Sequence, residues 1–250
     1  MAEHTKFISF FNQKGGVGKS TLEILMASYC HNVLDMKVGI LDADYPQLNV
    51  YKLREDEIEL VKDNDTYKEA FAHQGKQAYP VANSTPADAA AEMQLFLDLD
   101  EGEQPYDLVF VDLPGTINTP GVLQTISRLD HIFIPLVADQ LVIKSSLEFG
   151  LLVNDNLISK PEIHLKSLHF FWNNVVKSEK SPLYGVTEKV IKNAGMDLLD
   201  THLGHSVKFR KHDFRSTLFP MHPSLMKDSN MVGLIEEILG IIGIPSKQTV

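Results

Sequence analysis

An α/β fold, with a mostly parallel sheet flanked by helices on both faces, is what three features of this 250-residue sequence predict. Short apolar runs alternate with helical patterns from one end of the chain to the other. Several of those runs are continuously apolar, as strands covered on both faces require. A glycine-rich turn joins the first run to the first helical stretch, in the strand–turn–helix order of a phosphate-binding loop. At 28.0 kDa, with 44% hydrophobic and 22% charged residues, the chain can bury a full core, and one domain over residues 1–250 is the simplest organisation.

The first strand is Lys6–Asn12, built on Phe7-Ile8-Ser9-Phe10-Phe11. The loop follows, and then a helix over Ser20–Val33, where Leu22, Ile24, Leu25 and Ala27 supply the apolar pattern. Lys37–Leu41 is the second strand. Between Leu53 and Glu103, 13 acidic side chains stand against 4 basic ones, which accounts for most of the net charge of −10. A solvated face that aids solubility is the plain reading of that excess. Asp63–Ser84 gives the weakest signal: a short helix over Tyr67–His73, a surface loop and a weak strand at Tyr79–Ala82. Strands over Leu108–Val111, His131–Leu136, Leu168–Asn173 and Leu198–Leu203 complete the sheet. Helices are expected over Pro86–Leu97, Ile143–Ser159, Tyr184–Asn193 and Ser224–Ile242. The single cysteine, Cys30, cannot form an internal disulfide, which suits a reducing cytoplasm. No stretch matches a signal peptide or a membrane span.

The loop carries the most specific chemistry. In Gly15-Gly16-Val17-Gly18-Lys19-Ser20-Thr21, glycines let successive backbone N–H groups turn inward at phosphate oxygens. The helix N-terminus adds partial positive charge. Lys19 is placed to reach the β- and γ-phosphates and the Ser20 hydroxyl to ligate Mg²⁺. The strict Walker pattern wants glycine at position 13; here Gln13 stands there, and a second lysine, Lys14, opens the loop. Asn12 through Thr21 thereby resembles the deviant Walker A motif of the ParA/MinD family of P-loop ATPases. The resemblance implies that Lys14 reaches across a dimer interface to the nucleotide held by the partner subunit. The family's iron–sulfur carriers and arsenic pumps depend on paired cysteines, which this chain lacks.

Three further places carry carboxylates or amides expected at the site. Leu108-Val109-Phe110-Val111-Asp112 is an apolar strand that ends in one aspartate, the Walker B arrangement that delivers Asp112 to Mg²⁺. Gly115 and Thr116 then lie either in a second switch loop near the γ-phosphate or in an ordinary Pro-Gly turn. After the second strand comes Asp42-Ala43-Asp44-Tyr45-Pro46-Gln47. The family's counterpart reads Asp-x-Asp-Pro-Gln, so Tyr45 is inserted here. By resemblance Asp44 assists hydrolysis and Asp42 sits in the metal's outer shell; a turn cap is the alternative for both. Asn173 falls where the family has an asparagine that contacts adenine, with Asn174 as the neighbouring option and a strand-end turn as the rival. Trp172 is assigned to the core.

Lys208-Phe209-Arg210-Lys211-His212-Asp213-Phe214-Arg215 holds four basic residues and one acidic one. In ParA proteins, basic residues of this region help the ATP-bound dimer hold DNA without sequence preference. The resemblance assigns Lys208, Arg210, Lys211 and Arg215 to that role, and a solvated loop is the alternative. With no helix-turn-helix ahead of Lys6, operator reading is not expected. Met231–Ile242 carries only Glu236 and Glu237, unlike the basic amphipathic helix with which MinD grips anionic lipid, so it is expected to pack in the core.

The resemblance as a whole implies a single-domain P-loop NTPase of the ParA type that binds ATP and Mg²⁺. It would form a nucleotide-dependent homodimer, bind non-specific DNA without a membrane, and hydrolyse ATP weakly under stimulation by a ParB-like partner. The setting would be the cytoplasm, at the nucleoid, as with ParA-like proteins of plasmids and conjugative transposons. The alternatives are a MinD-like positioning ATPase, a dethiobiotin-synthetase-like ligase, and an ATP-binding adaptor with negligible hydrolysis.

Overall fold

The structure, a computed structural model, describes residues 5–176, 181–211 and 214–244, with the backbone alone at Arg210. Seven strands form one sheet in the order β3-β2-β4-β1-β5-β6-β7, and every pairing is parallel. They are β1 (Lys6–Phe10), β2 (Val38–Asp42), β3 (Val81–Asn83), β4 (Leu108–Asp112), β5 (His131–Leu136), β6 (Ser167–Trp172) and β7 (Asp197–Leu198).

Alternate residues of the central strands feed two separate cores, which is why their sequences are mostly apolar on both faces. On one face Ile8, Phe10, Ile40 and Phe110 pack against α1 (Lys19–Asn32) and α9 (Met231–Ile241). On the other, Phe7, Val109, Val111 and Ile134 meet α5 (Val122–Ile126), α6 (Gln140–Val153) and α7 (Leu183–Asn193). Trp172 is fully buried there, with its indole N–H donating to Glu188 at 3.0 Å, as the core assignment expected.

Several predicted bounds change, each for a local reason. The helix α2 (Asn49–Asp63), absent from the sequence reading, fully buries only Val50, Arg54 and Glu57. Two of those three are charged, so the buried stripe does not register as hydrophobic periodicity. The helix α3 (Asp65–His73) follows it, capped by Asn64. The expected strand Leu198–Leu203 shrinks to β7, because the N–H groups of Asp200 and Thr201 donate to the Glu237 carboxylate instead, at 2.8 and 2.9 Å. The expected helix Pro86–Leu97 becomes α4 (Ala89–Glu92) and a 3₁₀ turn over Met93–Phe96. Ser224–Ile242 divides into α8 (Pro223–Asp228) and α9, separated at Asn230, whose φ of 60° is left-handed. The last turn of Ile143–Ser159 is a π-turn at Asn154–Ile158.

At the opposite end of the sheet from the strand termini that carry Asp42 and Asp112, His131 and His169 share one hydroxyl. Ser167 Oγ lies 2.7 Å from His131 Nδ1 and 2.6 Å from His169 Nε2. Burial pushes the His131 imidazole down to about 4 and lowers His169 as well. Both rings are therefore neutral in the folded chain, while the unfolded chain takes up protons near pH 6.5. The native state is expected to keep this contribution above about pH 6.5 and to lose it as the pH falls toward 4. Urea midpoints measured across that range should decline, and His131→Asn should flatten the decline; an unchanged slope would contradict the assignment.

Candidate nucleotide-binding site

The first strand hands the chain to a loop whose base is clamped. Asn12 is fully buried, and its side-chain amide donates to the Pro135 carbonyl at 2.9 Å and to Ser146 Oγ at 2.8 Å. Its Oδ1 accepts the Lys14 N–H at 2.9 Å. Gly16 and Gly18 have φ of 76° and 95°, a left-handed region that glycine enters without strain. Gly18 is the N-cap of α1 and provides no side-chain cap. Among the described residues, the N–H groups of Gly15, Gly16, Val17 and Gly18 have no acceptor. With the open first turn of α1, they make a built anion site. The loop borders a cleft of about 860 Å³, shared with Asp44, Gly115 and Thr116.

Asp42 and Asp112 are register partners at the ends of adjacent strands. Asp112 is fully buried and accepts a short hydrogen bond from the Ser20 hydroxyl through Oδ2. Burial first, then the Asp42 charge, raises its carboxyl to about 7. Its Oδ1 is buried without a hydrogen-bond partner. A buried unsatisfied oxygen beside a serine hydroxyl suits a hard divalent cation, so the residues present fit Mg²⁺ at Ser20 and Asp112.

Asp42 is held by backbone donors. Its Oδ2 accepts from the N–H groups of Val50 and Tyr51 at 2.8 and 3.0 Å, and its Oδ1 from Asp44 N–H at 3.1 Å. Both oxygens are committed to the backbone, so the aspartate anchors the first turn of α2, close to the turn-cap alternative. Asp44 borders the cleft, and its carboxyl is raised by burial and opposed by the nearby Lys19 charge. A methyl group on Gly115 would come within 3.3 Å of Lys19 Nζ and 3.2 Å of the Asn12 carbonyl oxygen. The Pro-Gly segment therefore lies against Lys19 and the start of the glycine-rich loop.

A side pocket of about 280 Å³ opens from the loop between Val17, Val137, Asn173, Ser206, Phe209 and Arg215. Its size and mixed lining suit a purine. Asn173 borders it, but its amide donates to the Val17 carbonyl at 2.8 Å and its Oδ1 accepts from Asn174 N–H at 2.8 Å. In this conformation it braces the loop. Lys14 is exposed, and its ammonium group has no hydrogen bond or ion pair among the described residues.

The basic segment does not stay together. Lys208 is paired with Asp228 at 2.8 Å, Lys211 is exposed, and Arg215 borders the nucleotide cleft. The side chain of Arg210, with His212 and Asp213, lies outside the described residues.

Sequence reasoning missed Glu23. It is fully buried in α1, and its Oε1 accepts the Phe10 N–H at 3.2 Å, the donor left over as β1 becomes the loop. Burial, reinforced by the Asp112 charge, holds its carboxyl well above the usual range. Only its position, three residues into an apolar helix after Ser20, signals it. The native carboxyl keeps a proton that the unfolded chain releases, so its contribution fades as the pH rises above the unfolded value. Glu23→Gln is expected to stay within about 1 kcal/mol of the native chain in urea unfolding at pH 7 and to weaken that pH dependence. Glu23→Ala should cost about 2–3 kcal/mol, through the unpaired Phe10 N–H and the cavity. Equal stability of the two variants would count against this role.

Comparison with known proteins agrees with the geometry. The family model AAA_31, described as an AAA domain, matches residues 5–149. No curated protein matches the sequence. Among solved structures, McdA from Cyanothece in an ATP complex superposes with TM-score 0.65 at 16% identity, over 99% of each chain. MinD from Pyrococcus horikoshii with Mg-ADP gives 0.61 at 16%, over 98% of this chain and 100% of that one. A plasmid partition protein from Borrelia burgdorferi gives 0.53 at 18%, over 95% and 97%. With its loop, its strand-end aspartates and a family model covering more than half its length, the chain belongs to the AAA_31 family and is an ATPase of the ParA/MinD fold.

Proposed function

We propose that this chain is an ATP-dependent dimerising switch of the ParA type, acting in DNA partition or the maintenance of a mobile element. The observation that carries the reading is Lys14. Its backbone is fixed by Asn12, while its exposed ammonium group has no partner among the described residues. A cation held at the lip of an anion site and unused by its own subunit suits a second subunit's phosphates.

The N–H groups of Gly15–Thr21 cradle the triphosphate, and Lys19 neutralises its β/γ end. Ser20 and Asp112 would hold Mg²⁺, and the ion would supply positive charge to offset that of the phosphates. Asp44, at the edge of the cleft, orients the attacking water. Two copies close face to face, each Lys14 completing the other's pocket, and hydrolysis under a ParB-like stimulator reopens them. Nucleotide binding by McdA and MinD, and the MinC:MinD complex of Aquifex aeolicus, support a partner-regulated cycle. The B. burgdorferi neighbour favours partition as the role.

Non-specific DNA would meet the closed dimer at the nucleoid through Lys211 and Arg210, with Lys208 first having to leave Asp228. The membrane form of the MinD-like alternative finds no support in α9, whose Leu234, Ile235, Ile238 and Leu239 are buried in the core. Among the described residues, no helix is long and apolar enough to cross a membrane.

With ATP and Mg²⁺, light scattering should find a dimer for the native chain and a monomer for Lys14→Ala, whose own ATP affinity should stay within about threefold. A Lys14→Ala protein that still dimerises would overturn the proposal. In a DNA-retention assay the native chain should bind with ATP and not with ADP, and binding should fall as salt rises. Absence of retention at low salt would leave the switch acting on a protein scaffold.

A further inference from the structure

The sequence places Arg215 at the end of a basic surface segment; the structure places it at a junction. It borders both the triphosphate cleft and the side pocket that suits a base, and it shares that position with Gly16, Gly18 and Thr21 of the loop itself. Its Nε is buried and has no hydrogen-bond partner, and among the described residues no carboxylate lies within ion-pair distance of it. A buried guanidinium donor with no acceptor is costly, and that cost is relieved when a ligand oxygen takes the bond.

The backbone beside it is held in place. Two residues on, Thr217 donates both its N–H, at 2.9 Å, and its hydroxyl to the Glu57 carboxylate. Arg54 donates to Thr217 Oγ1 and to the Thr217 carbonyl, each at 2.8 Å, and to the Tyr79 carbonyl at 2.6 Å. Glu57, Arg54 and Thr217 are all buried. Arg215 thus projects from a pinned segment, whereas Lys211 sits exposed and Lys208 is spent on Asp228.

We propose that Arg215 is a nucleotide-binding residue that engages the α-phosphate and ribose of the bound nucleotide, and that it does not belong to the DNA surface. The inference rests on the ATP-binding reading of the cleft. A base in the side pocket and a triphosphate in the loop's cradle are joined at the ribose and α-phosphate, where the two compartments meet. A guanidinium fork there makes charge-assisted hydrogen bonds to phosphate oxygens. Because ATP and ADP share that end, both depend on it equally.

Titration calorimetry with Mg²⁺ and ATP, ADP or AMP tests this on the native chain and on Arg215→Ala, Arg215→Lys and Lys211→Ala. Arg215→Ala is expected to weaken all three nucleotides by a similar factor of about tenfold or more. Arg215→Lys should recover part of the loss, and Lys211→Ala should stay within about twofold of native. Without nucleotide, the melting temperature of Arg215→Lys should match the native value, while its ATP-induced rise should be smaller. Unchanged ATP and ADP affinity in Arg215→Ala would overturn the proposal, and so would a loss confined to ATP, which would put the guanidinium at the γ-phosphate. Should Arg215→Ala fail to fold, Arg215→Lys and Arg215→Gln carry the same comparison. Failure of the native chain to bind any of the three would sink the ATP reading itself and this inference with it.

Discussion

Everything at the working end of this molecule is arranged around buried negative charge held under an anion-binding loop. Asp42 and Asp112 end adjacent strands as register partners, and Glu23 enters from α1 beneath them. Burial is the main cause that raises all three carboxyls; the Asp112 and Asp42 charges add to it at Glu23, the Asp42 charge at Asp112, and the Asp44 charge at Asp42. Such a cluster persists only when each member has a defined outlet. Glu23 ties off β1 by accepting the Phe10 N–H, Asp42 caps α2, and Asp112 keeps one free oxygen for a cation. Lys19 is the nearby cation whose charge opposes the rise at Glu23, Asp112 and Asp44.

That division of labour links the site to the rest of the fold. By capping α2, Asp42 sets the helix that carries Arg54 and Glu57, and those side chains hold Thr217 and the segment that bears Arg215. The path runs from the carboxylate cluster, along α2, to the far wall of the nucleotide cleft. Its links are buried hydrogen bonds, several of them charge-assisted, with little slack. The acidic stretch between Leu53 and Glu103 is accordingly more than a solvated face: two of its charged residues, Arg54 and Glu57, are structural.

The central strands, the loop and α1 were legible in the sequence because local rules dominate there. Uninterrupted apolar runs have one home, between two helical layers, and Gly16 and Gly18 answer to backbone geometry at their own positions. The edges were less legible. β7 ends early because Glu237, remote in sequence, takes the N–H groups that a longer strand would use. The helix α2 was hidden because its buried stripe is polar. Polarity at Arg54 and Glu57 is affordable only when Thr217 and Tyr79 supply partners, and no window of sequence reveals that pairing.

By itself, then, the sequence determined the sheet's parallel architecture, the phosphate cradle and the strand-end aspartates, since each is specified by residues within a few positions of one another. Tertiary structure decided how the charged side chains were spent: Asp42 on a helix cap, Glu23 on an orphan N–H, Lys208 on Asp228 and Arg215 on the cleft. The physical reason is that a charged group's role is set by what lies within a few ångströms of it. For these residues, most of those neighbours lie far away along the chain.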